Sequence, residues 1–260
     1  MVEHSPSADI GVPGTGLPRT DAVRRPPSWL LSGGRPLGRF LVRRRFGVRL
    51  HGVGHVPRRG PVILAGNHIG VVDGPLLAVF SPRPVHALTK IEMFRGALGP
   101  FLTTAGQIPL DRFAADPGAV KKSVRLLRDG RVVGVFPEGT RGAGDLARFH
   151  RGAAYLALVT GAPIVPVTMI GSRAPGAGSN ALPERGTTVD IVYGSPYRLE
   201  ATPWPRTKEQ VGQASLLLRR HMLSGLEEAL ALTGRELPGP LPPGQLDDDP
   251  DTGVVERGAR

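Results

Sequence analysis

The stretch Pro61-Val-Ile-Leu-Ala-Gly-Asn-His-Ile-Gly-Val-Val-Asp-Gly-Pro75 changes from wholly apolar to polar within a few residues. Its first part, Val62–Ala65, has the length and composition of a buried strand. The loop that follows carries His68 and Asp73, and the closing Gly-Pro pair marks the first turn of a helix. A buried strand that leads through a loop into a helix is the repeating unit of an α/β domain.

The same alternation of strand and helix patterns continues along the rest of the chain. The predicted strands are Arg45–His51, Val62–Ala65, Val85–Thr89, Gly106–Leu110, Arg131–Phe136, Ile164–Ile170 and Thr188–Tyr193. The predicted helices are Pro75–Phe80, Pro117–Asp129, Arg151–Thr160 and Lys208–Leu232. Together they predict a single α/β domain with a central, mostly parallel or mixed β-sheet that is flanked by helices.

The two ends of the chain differ in composition from this central region. Residues 1–27 are rich in Pro, Gly, Ser and Arg, and residues 236–260 combine a Pro-rich run with the acidic stretch Asp247-Asp-Asp-Pro-Asp251. Both compositions are typical of disordered tails. The domain itself is therefore predicted over residues 46–235, which is long enough to bury a sizeable core.

The composition narrows the classes of partner and of chemistry. The 260 residues carry a net charge of +11 and include no cysteine, which excludes disulfides, thiolate metal sites and a cysteine nucleophile. A positive field attracts nucleic acid, anionic lipid or phosphorylated small molecules. Aromatic residues make up only 5% of the chain and do not alternate with basic ones, as they do in base-stacking surfaces. We therefore expect no nucleic acid and favour an anionic membrane surface.

A basic amphipathic segment precedes the domain at residues 28–45. Leu37, Phe40 and Leu41 fall at helical spacing, arginines crowd around them, and Trp29 lies just upstream. An apolar stripe flanked by arginines and a tryptophan suits a membrane interface. A helix that packs on its own domain and shows a solvated basic face explains the pattern equally well, so both interpretations stay open.

The only long uncharged stretch runs from Gly152 to Ser172, which is long enough to span a bilayer. Gly161, Pro163 and Pro166 interrupt it, so a helix followed by a short buried strand is the better prediction. The first residues lack the basic start and apolar run of a secretory signal.

The spacing of His68 and Asp73 suits acid–base chemistry. A neutral imidazole can accept a proton near physiological pH, and a carboxylate on its other nitrogen fixes the tautomer and stabilises the imidazolium. The alternative is structural, because Asp73 just before Gly-Pro has the position of a helix N-cap. The two roles are compatible with each other.

Three further polar or Pro-containing motifs occur at the ends of, or within, predicted strands, where α/β sheets bind ligands. Arg112 ends the run Gly106–Arg112, and Glu138 and Arg141 lie in the turn Pro137-Glu-Gly-Thr-Arg141. The arginine fork matches phosphate oxygens, and a carboxyl group can accept a hydrogen bond from a hydroxyl. Ordinary polar turns with internal ion pairs would produce the same sequences. Pro166 within an apolar strand indicates a sheet edge or a bulge.

These motifs, in this order, resemble the four sequence blocks of the glycerophospholipid acyltransferase family, of the 1-acyl-sn-glycerol-3-phosphate acyltransferase (PlsC) type. The matching segments are Asn67-His68-x4-Asp73, Gly106-x-Ile-Pro-Leu-Asp111-Arg112, Phe136-Pro-Glu-Gly-Thr-Arg141 and Val165-Pro166-Val167, with Lys90-x-Glu92-x-Phe94 before the second. The resemblance spans roughly residues 45–200. The family often has serine where this chain has Gly70 and Gly142, which leaves the preference for an acceptor open.

The resemblance implies transfer of a fatty acyl group from acyl-CoA or acyl-carrier protein to the hydroxyl of a lysophospholipid, most simply 1-acylglycerol 3-phosphate. It implies that His68 is the general base and that Asp73 orients it. The implied substrate-binding residues are Asn67, Arg112, Glu138, Gly139, Thr140 and Arg141, and Pro166 is the implied acyl-pocket residue. No metal and no cofactor besides the thioester co-substrate is expected.

Several alternatives remain open at this level. One alternative is an acyltransferase of the same family that acts on glycerol 3-phosphate, an aminolipid or another lyso-lipid. A second alternative is a non-catalytic lipid-binding relative. A phosphoesterase would use the same arginines but would need a metal cluster or a nucleophile. A lipid acceptor places the protein at a membrane, and we expect a peripheral or monotopic association with its cytoplasmic face.

Overall fold

The strands predicted from the sequence form one mixed sheet in a computed structural model that describes residues 16–245. The strands are β1 Gly47–His51, β2 Val62–Gly66, β3 Val85–Lys90, β4 Ile108–Leu110, β5 Val132–Val135, β6 Ile164–Ile170 and β7 Thr188–Tyr193. The α-helices are α1 Trp29–Gly33, α2 Arg35–Arg43, α3 Asp73–Phe80, α4 Leu98–Thr104, α5 Pro117–Arg128, α6 Gly152–Thr160 and α7 Lys208–Thr233. Short 3₁₀ helices cover Val53–His55 and Ile91–Phe94.

The strand order explains why the polar loops meet. The order across the sheet is β1-β7-β6-β2-β5-β3-β4. Strands β2 to β6 run parallel to one another, whereas β7 is antiparallel to β6 and β1 is parallel to β7. The carboxyl ends of β2, β5 and β6 therefore lie side by side at the centre of the sheet. The loops after these strands come together at one edge, and the predicted fold class is confirmed.

Helices cover both faces of the sheet, which is why its central strands are apolar throughout. In β2, Ile63 and Ala65 belong to the core shared with α5, α6 and α7, whereas Val62 and Leu64 belong to the core shared with α3. All of β2 and β5 is buried. A strand that is covered on both faces has no polar side to show in its sequence.

Pro166 lies inside the sheet, at a bulge. Strand β6 pairs with β2 on one side and β7 on the other, and Val167 lies opposite Tyr193. Ile164 pairs with Tyr197. From one pair to the other, β6 advances by three residues, whereas the chain that continues β7 advances by four. The extra residue forms the bulge that the proline indicated, and it lets the strand accommodate a residue without an N–H.

The N-terminal part of the described chain lies against the domain. Arg128 of α5 donates hydrogen bonds to the carbonyl of Pro18 (2.9 Å) and to the hydroxyl of Thr20 (3.1 Å). Helix α2 packs on α3, where Gly38 approaches Val79 and Arg39 donates to the Val79 carbonyl at 3.0 Å. Residues 1–15 and 246–260 lie outside the described residues, so the disorder predicted there stays a prediction.

The uncharged stretch from Gly152 to Ser172 is divided between a helix and a strand, as its glycine and prolines predicted. Helix α6 ends at Gly161, which has a left-handed φ of 65°, and β6 begins three residues later. Within residues 16–245, no helix combines the length and the apolar character needed to cross a membrane.

The absence of a side chain at Gly134 lets α3 approach the centre of the sheet. A methyl group at this position in β5 would lie 2.9 Å from Val85 Cγ1 and 3.2 Å from Leu77 Cδ2. We expect Gly134→Ala to lower the free energy of unfolding by about 1–3 kcal/mol, because a filled core must shift to admit the extra carbon. Chemical denaturation measures the change.

The matched control is Gly212→Ala in α7, where an added methyl group meets nothing within 4 Å. Alanine favours a helix over glycine, so the control is expected to gain up to about 1 kcal/mol. Equal effects of the two substitutions would contradict close packing at Gly134.

Candidate active site

His68 and Asp73 form a hydrogen-bonded pair at the carboxyl end of β2. His68 Nδ1 lies 2.9 Å from Asp73 Oδ2. The Asp73 side chain has no exposed surface, whereas the His68 side chain is 20% exposed. Because Nδ1 is engaged by the carboxylate, Nε2 is the ring nitrogen that can take a proton from a bound molecule.

Asp73 holds the loop in front of it instead of capping its own helix. Its Oδ2 atom also accepts the backbone N–H groups of Ile69 (2.7 Å) and Gly70 (2.8 Å). Helix α3 begins at Asp73, and no side chain caps its N-terminus. The N-cap interpretation was therefore wrong, because the carboxylate turns back towards the histidine and its neighbours.

An aromatic ring supports the other side of His68. The imidazole stacks on Phe136, with ring centroids 4.4 Å apart and planes inclined by 24°. Phe136 follows β5, the neighbour of β2. A methyl group at Gly66 would lie only 3.0 Å from the Phe136 ring, so the glycine makes room for the stacking partner. The ring is thus held by a hydrogen bond at one nitrogen and by packing on one face.

Glu138 lies beneath the histidine loop and is 5% exposed. Its Oε1 atom accepts the backbone N–H of His68 at 3.0 Å. Burial raises the pKa of Glu138 to about 8, and the nearby charges of Asp145 and Asp73 act in the same direction. The carboxyl group is therefore mostly protonated at neutral pH, and its predicted contact with a substrate hydroxyl stays a prediction.

Asn67 joins two strands and the following loop. It is 2% exposed, and its Oδ1 atom accepts the Met169 N–H at 2.7 Å. Its Nδ2 atom donates to the carbonyls of Met169 (3.2 Å) and Gly144 (3.4 Å). These contacts occupy the amide group with backbone atoms and argue against the predicted contact of Asn67 with substrate.

Two residues that follow β6 belong to the site, although the sequence analysis did not include them. The Ser172 hydroxyl donates to Asp73 Oδ1. Arg173 is 2% exposed and donates to the carbonyls of Ile69 (2.8 Å) and Gly142 (3.0 Å). A Gly-Ser-Arg sequence directly after a buried strand was the signal available, because polar residues at such strand ends form ligand sites in α/β sheets.

The two predicted phosphate-binding arginines meet around a single turn. Arg112 Nη1 donates to the Gly139 carbonyl at 3.0 Å. Arg141 lies in the same turn and donates to the Ser179 carbonyl (3.0 Å) and to Asn180 Oδ1 (2.7 Å). Both residues are therefore attached to the turn that carries Glu138, Arg112 through its side chain and Arg141 through its backbone.

The remaining predicted residues have mixed positions. Gly139 has a φ of 73°, which allows the tight turn after β5. Thr140 is 5% exposed in that turn. Pro166 is buried in the middle of β6, where a methyl group on Gly194 or Gly225 would lie within 4 Å of its ring. Its predicted place in an acyl pocket stays a prediction.

Comparison with known proteins identifies the family of this chain. The chain belongs to the acyltransferase family, whose sequence profile matches residues 47–170. It is 33% identical over 135 residues to the 1-acyl-sn-glycerol-3-phosphate acyltransferase of Bacillus subtilis, in an alignment that covers 51% of this chain and 67% of that protein. It is 35% identical over 120 residues to the 1-acyl-sn-glycerol-3-phosphate acyltransferase of Borreliella burgdorferi, covering 44% of this chain and 48% of that protein.

A solved structure shares the fold. The 1-acyl-sn-glycerophosphate acyltransferase PlsC from Thermotoga maritima aligns with a TM-score of 0.58, over 79% of this chain and 80% of that one. The two sequences are 20% identical, so the similarity establishes the arrangement of the α/β domain.

The buried Glu138 predicts a pH dependence of stability. Its pKa is about 8 in the folded protein and about 4.5 for a free side chain. Its contribution is therefore fully present below about pH 4.5 and is lost as the pH rises towards and through 8. Between pH 5.5 and 8 we expect the free energy of unfolding to fall by about 3 kcal/mol more in the native chain than in Glu138→Gln.

Denaturant titrations of both proteins at several pH values measure this difference, and the other titrating groups cancel in the comparison. Glutamine keeps an oxygen that accepts the His68 N–H. Parallel curves for the two proteins would show that Glu138 does not titrate with a raised pKa.

Proposed function

We propose that this chain transfers a fatty acyl group from a thioester to the free hydroxyl of a lysophospholipid. The proposed acceptor is 1-acylglycerol 3-phosphate, whose acylation would yield phosphatidic acid. The proposed donor is acyl-CoA or an acyl-carrier protein. The observation that carries the proposal is the His68–Asp73 pair, with Nδ1 on a fully buried carboxylate at 2.9 Å. The curated relatives named as 1-acyl-sn-glycerol-3-phosphate acyltransferases support the choice of acceptor.

The reaction needs one base and two aligned substrates. His68 Nε2 takes the proton of the acceptor hydroxyl while its oxygen forms a bond to the thioester carbonyl carbon. The tetrahedral intermediate then expels the thiolate, which receives the proton from the imidazolium. Proton transfer of this kind contributes about 10²–10⁴-fold to the rate, and the positioning of the two substrates adds more.

The acceptor phosphate is proposed to bind at the turn that Arg112 and Arg141 share. Both side chains are partly exposed. The Arg112 guanidinium donates to the Gly139 carbonyl of this turn, and the Arg141 guanidinium donates to the Ser179 carbonyl of a later loop. Planar guanidinium groups can bind phosphate oxygens in pairs. The turn follows β5 and His68 follows β2, which is its neighbour in the sheet. We therefore propose that one small glycerolipid binds with its phosphate at this turn and its hydroxyl at His68.

An exposed apolar surface on α2 supports binding to an anionic membrane. Leu37, Phe40 and Leu41 are exposed by 62%, 56% and 57%, because α2 packs on α3 through its other face. Arg43 and Arg44 are exposed beside them. Apolar side chains next to guanidinium groups suit the interface of an anionic bilayer, where a lysophospholipid is found. The side of the membrane stays a prediction.

The central prediction concerns His68. The purified protein with acyl-CoA is expected to acylate 1-acylglycerol 3-phosphate in preference to glycerol 3-phosphate or other lyso-lipids, as measured by mass spectrometry of the products. His68→Ala is expected to lower kcat by at least about 10²-fold, because the acceptor hydroxyl then lacks its base.

His221→Ala is the matched control, since His221 also stacks on an aromatic ring, that of Tyr197, and bonds a backbone carbonyl, that of Ser195. It is expected to keep full activity. If His68→Ala folds and retains substantial transfer, the general-base role is wrong. If the native chain consumes no thioester with any acceptor, the chain is a non-catalytic relative.

The membrane surface is tested on exposed leucines, whose loss leaves the core intact. We expect Leu37→Ser with Leu41→Ser to weaken co-sedimentation with anionic phospholipid vesicles about ten-fold or more, because two inserted side chains are lost. The control is Leu217→Ser with Leu232→Ser, which changes leucines exposed by 48% and 63% on α7 at the other face of the sheet. Equal binding by the two double variants would refute the assignment to α2.

A further inference from the structure

The two oxygens of Asp73 have different partners. Oδ2 accepts three N–H groups, from His68 Nδ1 and from the backbone of Ile69 and Gly70. Oδ1 accepts the hydroxyl of Ser172, which comes from the end of β6 and is itself fully buried. Because Asp73 has no exposed surface, each of its oxygens depends on protein donors to replace water.

Gly70 allows this approach. A methyl group at residue 70 would lie 2.8 Å from the carbonyl oxygen of Ser172 and 3.3 Å from its Oγ atom. The first of these contacts is with backbone, so a larger residue would displace the end of β6 and the hydroxyl with it.

We propose that Ser172 is a positioning residue for the His68–Asp73 pair, and that Gly70 makes its approach possible. The inference rests on the proposed function, in which His68 is the base. A carboxylate held only through Oδ2 can rotate about its Cβ–Cγ bond. A donor on Oδ1 fixes the plane of the carboxylate, so that Oδ2 stays directed at Nδ1 and Nε2 stays directed at the acceptor.

Charged and polar groups surround Asp73 on its other sides. The buried Arg173 guanidinium interacts favourably with the Asp73 carboxylate. Glu138 and, beyond it, Asp145 lie on the other side of the histidine loop. Loss of the Ser172 hydroxyl would leave a buried carboxylate oxygen without this donor, and the carboxylate would lose the contact that fixes its orientation.

Ser172→Ala is the direct test. We expect kcat to fall about 10- to 100-fold with little change in KM for either substrate, because the pair is misaligned and the substrate contacts are not. Ser215→Ala is the matched control, since its fully buried hydroxyl donates to the Val211 carbonyl at 2.7 Å in α7. That control should leave kcat unchanged.

Gly70→Ser tests the second half of the proposal. It is expected to lower kcat to a similar extent, and the double variant with Ser172→Ala should lose much less than the product of the two single effects. Multiplicative losses, or full activity of Gly70→Ser, would overturn the role of Gly70. Ser172→Cys keeps the shape with a weaker donor and should give an intermediate kcat, which provides a second measurement if Ser172→Ala does not fold.

The two proposals fail in distinguishable ways. If His68→Ala keeps its activity, the proposed function fails first. If His68→Ala is inactive but Ser172→Ala matches Ser215→Ala in kcat and in KM, only the positioning role of Ser172 is wrong.

Discussion

A carboxylate without exposed surface must be surrounded by donors, and at Asp73 this requirement decides how separate parts of the chain meet. The donors come from the loop after β2 and from the end of β6. Asp73 itself opens α3, so one side chain joins a helix, a loop and a strand end. Burying this carboxylate costs free energy unless protein donors replace its lost water. The geometry of the site meets that requirement.

The parts of the fold that were predictable are those with a local signature. The apolar runs at Val62–Ala65 and Ile164–Ile170 predicted their strands correctly, because both faces of these strands are covered by helices. Gly161 marked the end of α6. The pairing of His68 with Asp73 followed from their spacing. Ser172 and Arg173 left a local signal, the Gly-Ser-Arg sequence after β6, but it does not identify their partners about 100 residues away. Their contacts, and the use of Asn67 as a backbone clamp, were therefore accessible only from the structure.

The arginines of this chain serve two distinct purposes, which the net charge of +11 does not separate. Arg83 donates to the carbonyls of Pro57, Gly60 and Gly130, and Arg173 also binds backbone carbonyls. Such side chains act as internal ties between loops, and burial lowers the pKa of both groups. The outward positive field therefore comes from the exposed arginines, among them those at the end of α2. Part of the net positive charge therefore lies in ties between loops and not on the exposed surface.

The central position of β2 also has a consequence during synthesis. The strand before the histidine emerges early, yet its neighbour β6 and the Met169 and Ser172 contacts are encoded about 100 residues later. A nascent chain that ends before β6 contains His68 and Asp73 but not the strand that completes their surroundings. Contacts of such sequence separation form late and slowly compared with local ones. Most of the domain therefore leaves the ribosome before the surroundings of His68 are complete, and an incomplete chain carries the His68–Asp73 motif without the strand end that holds it.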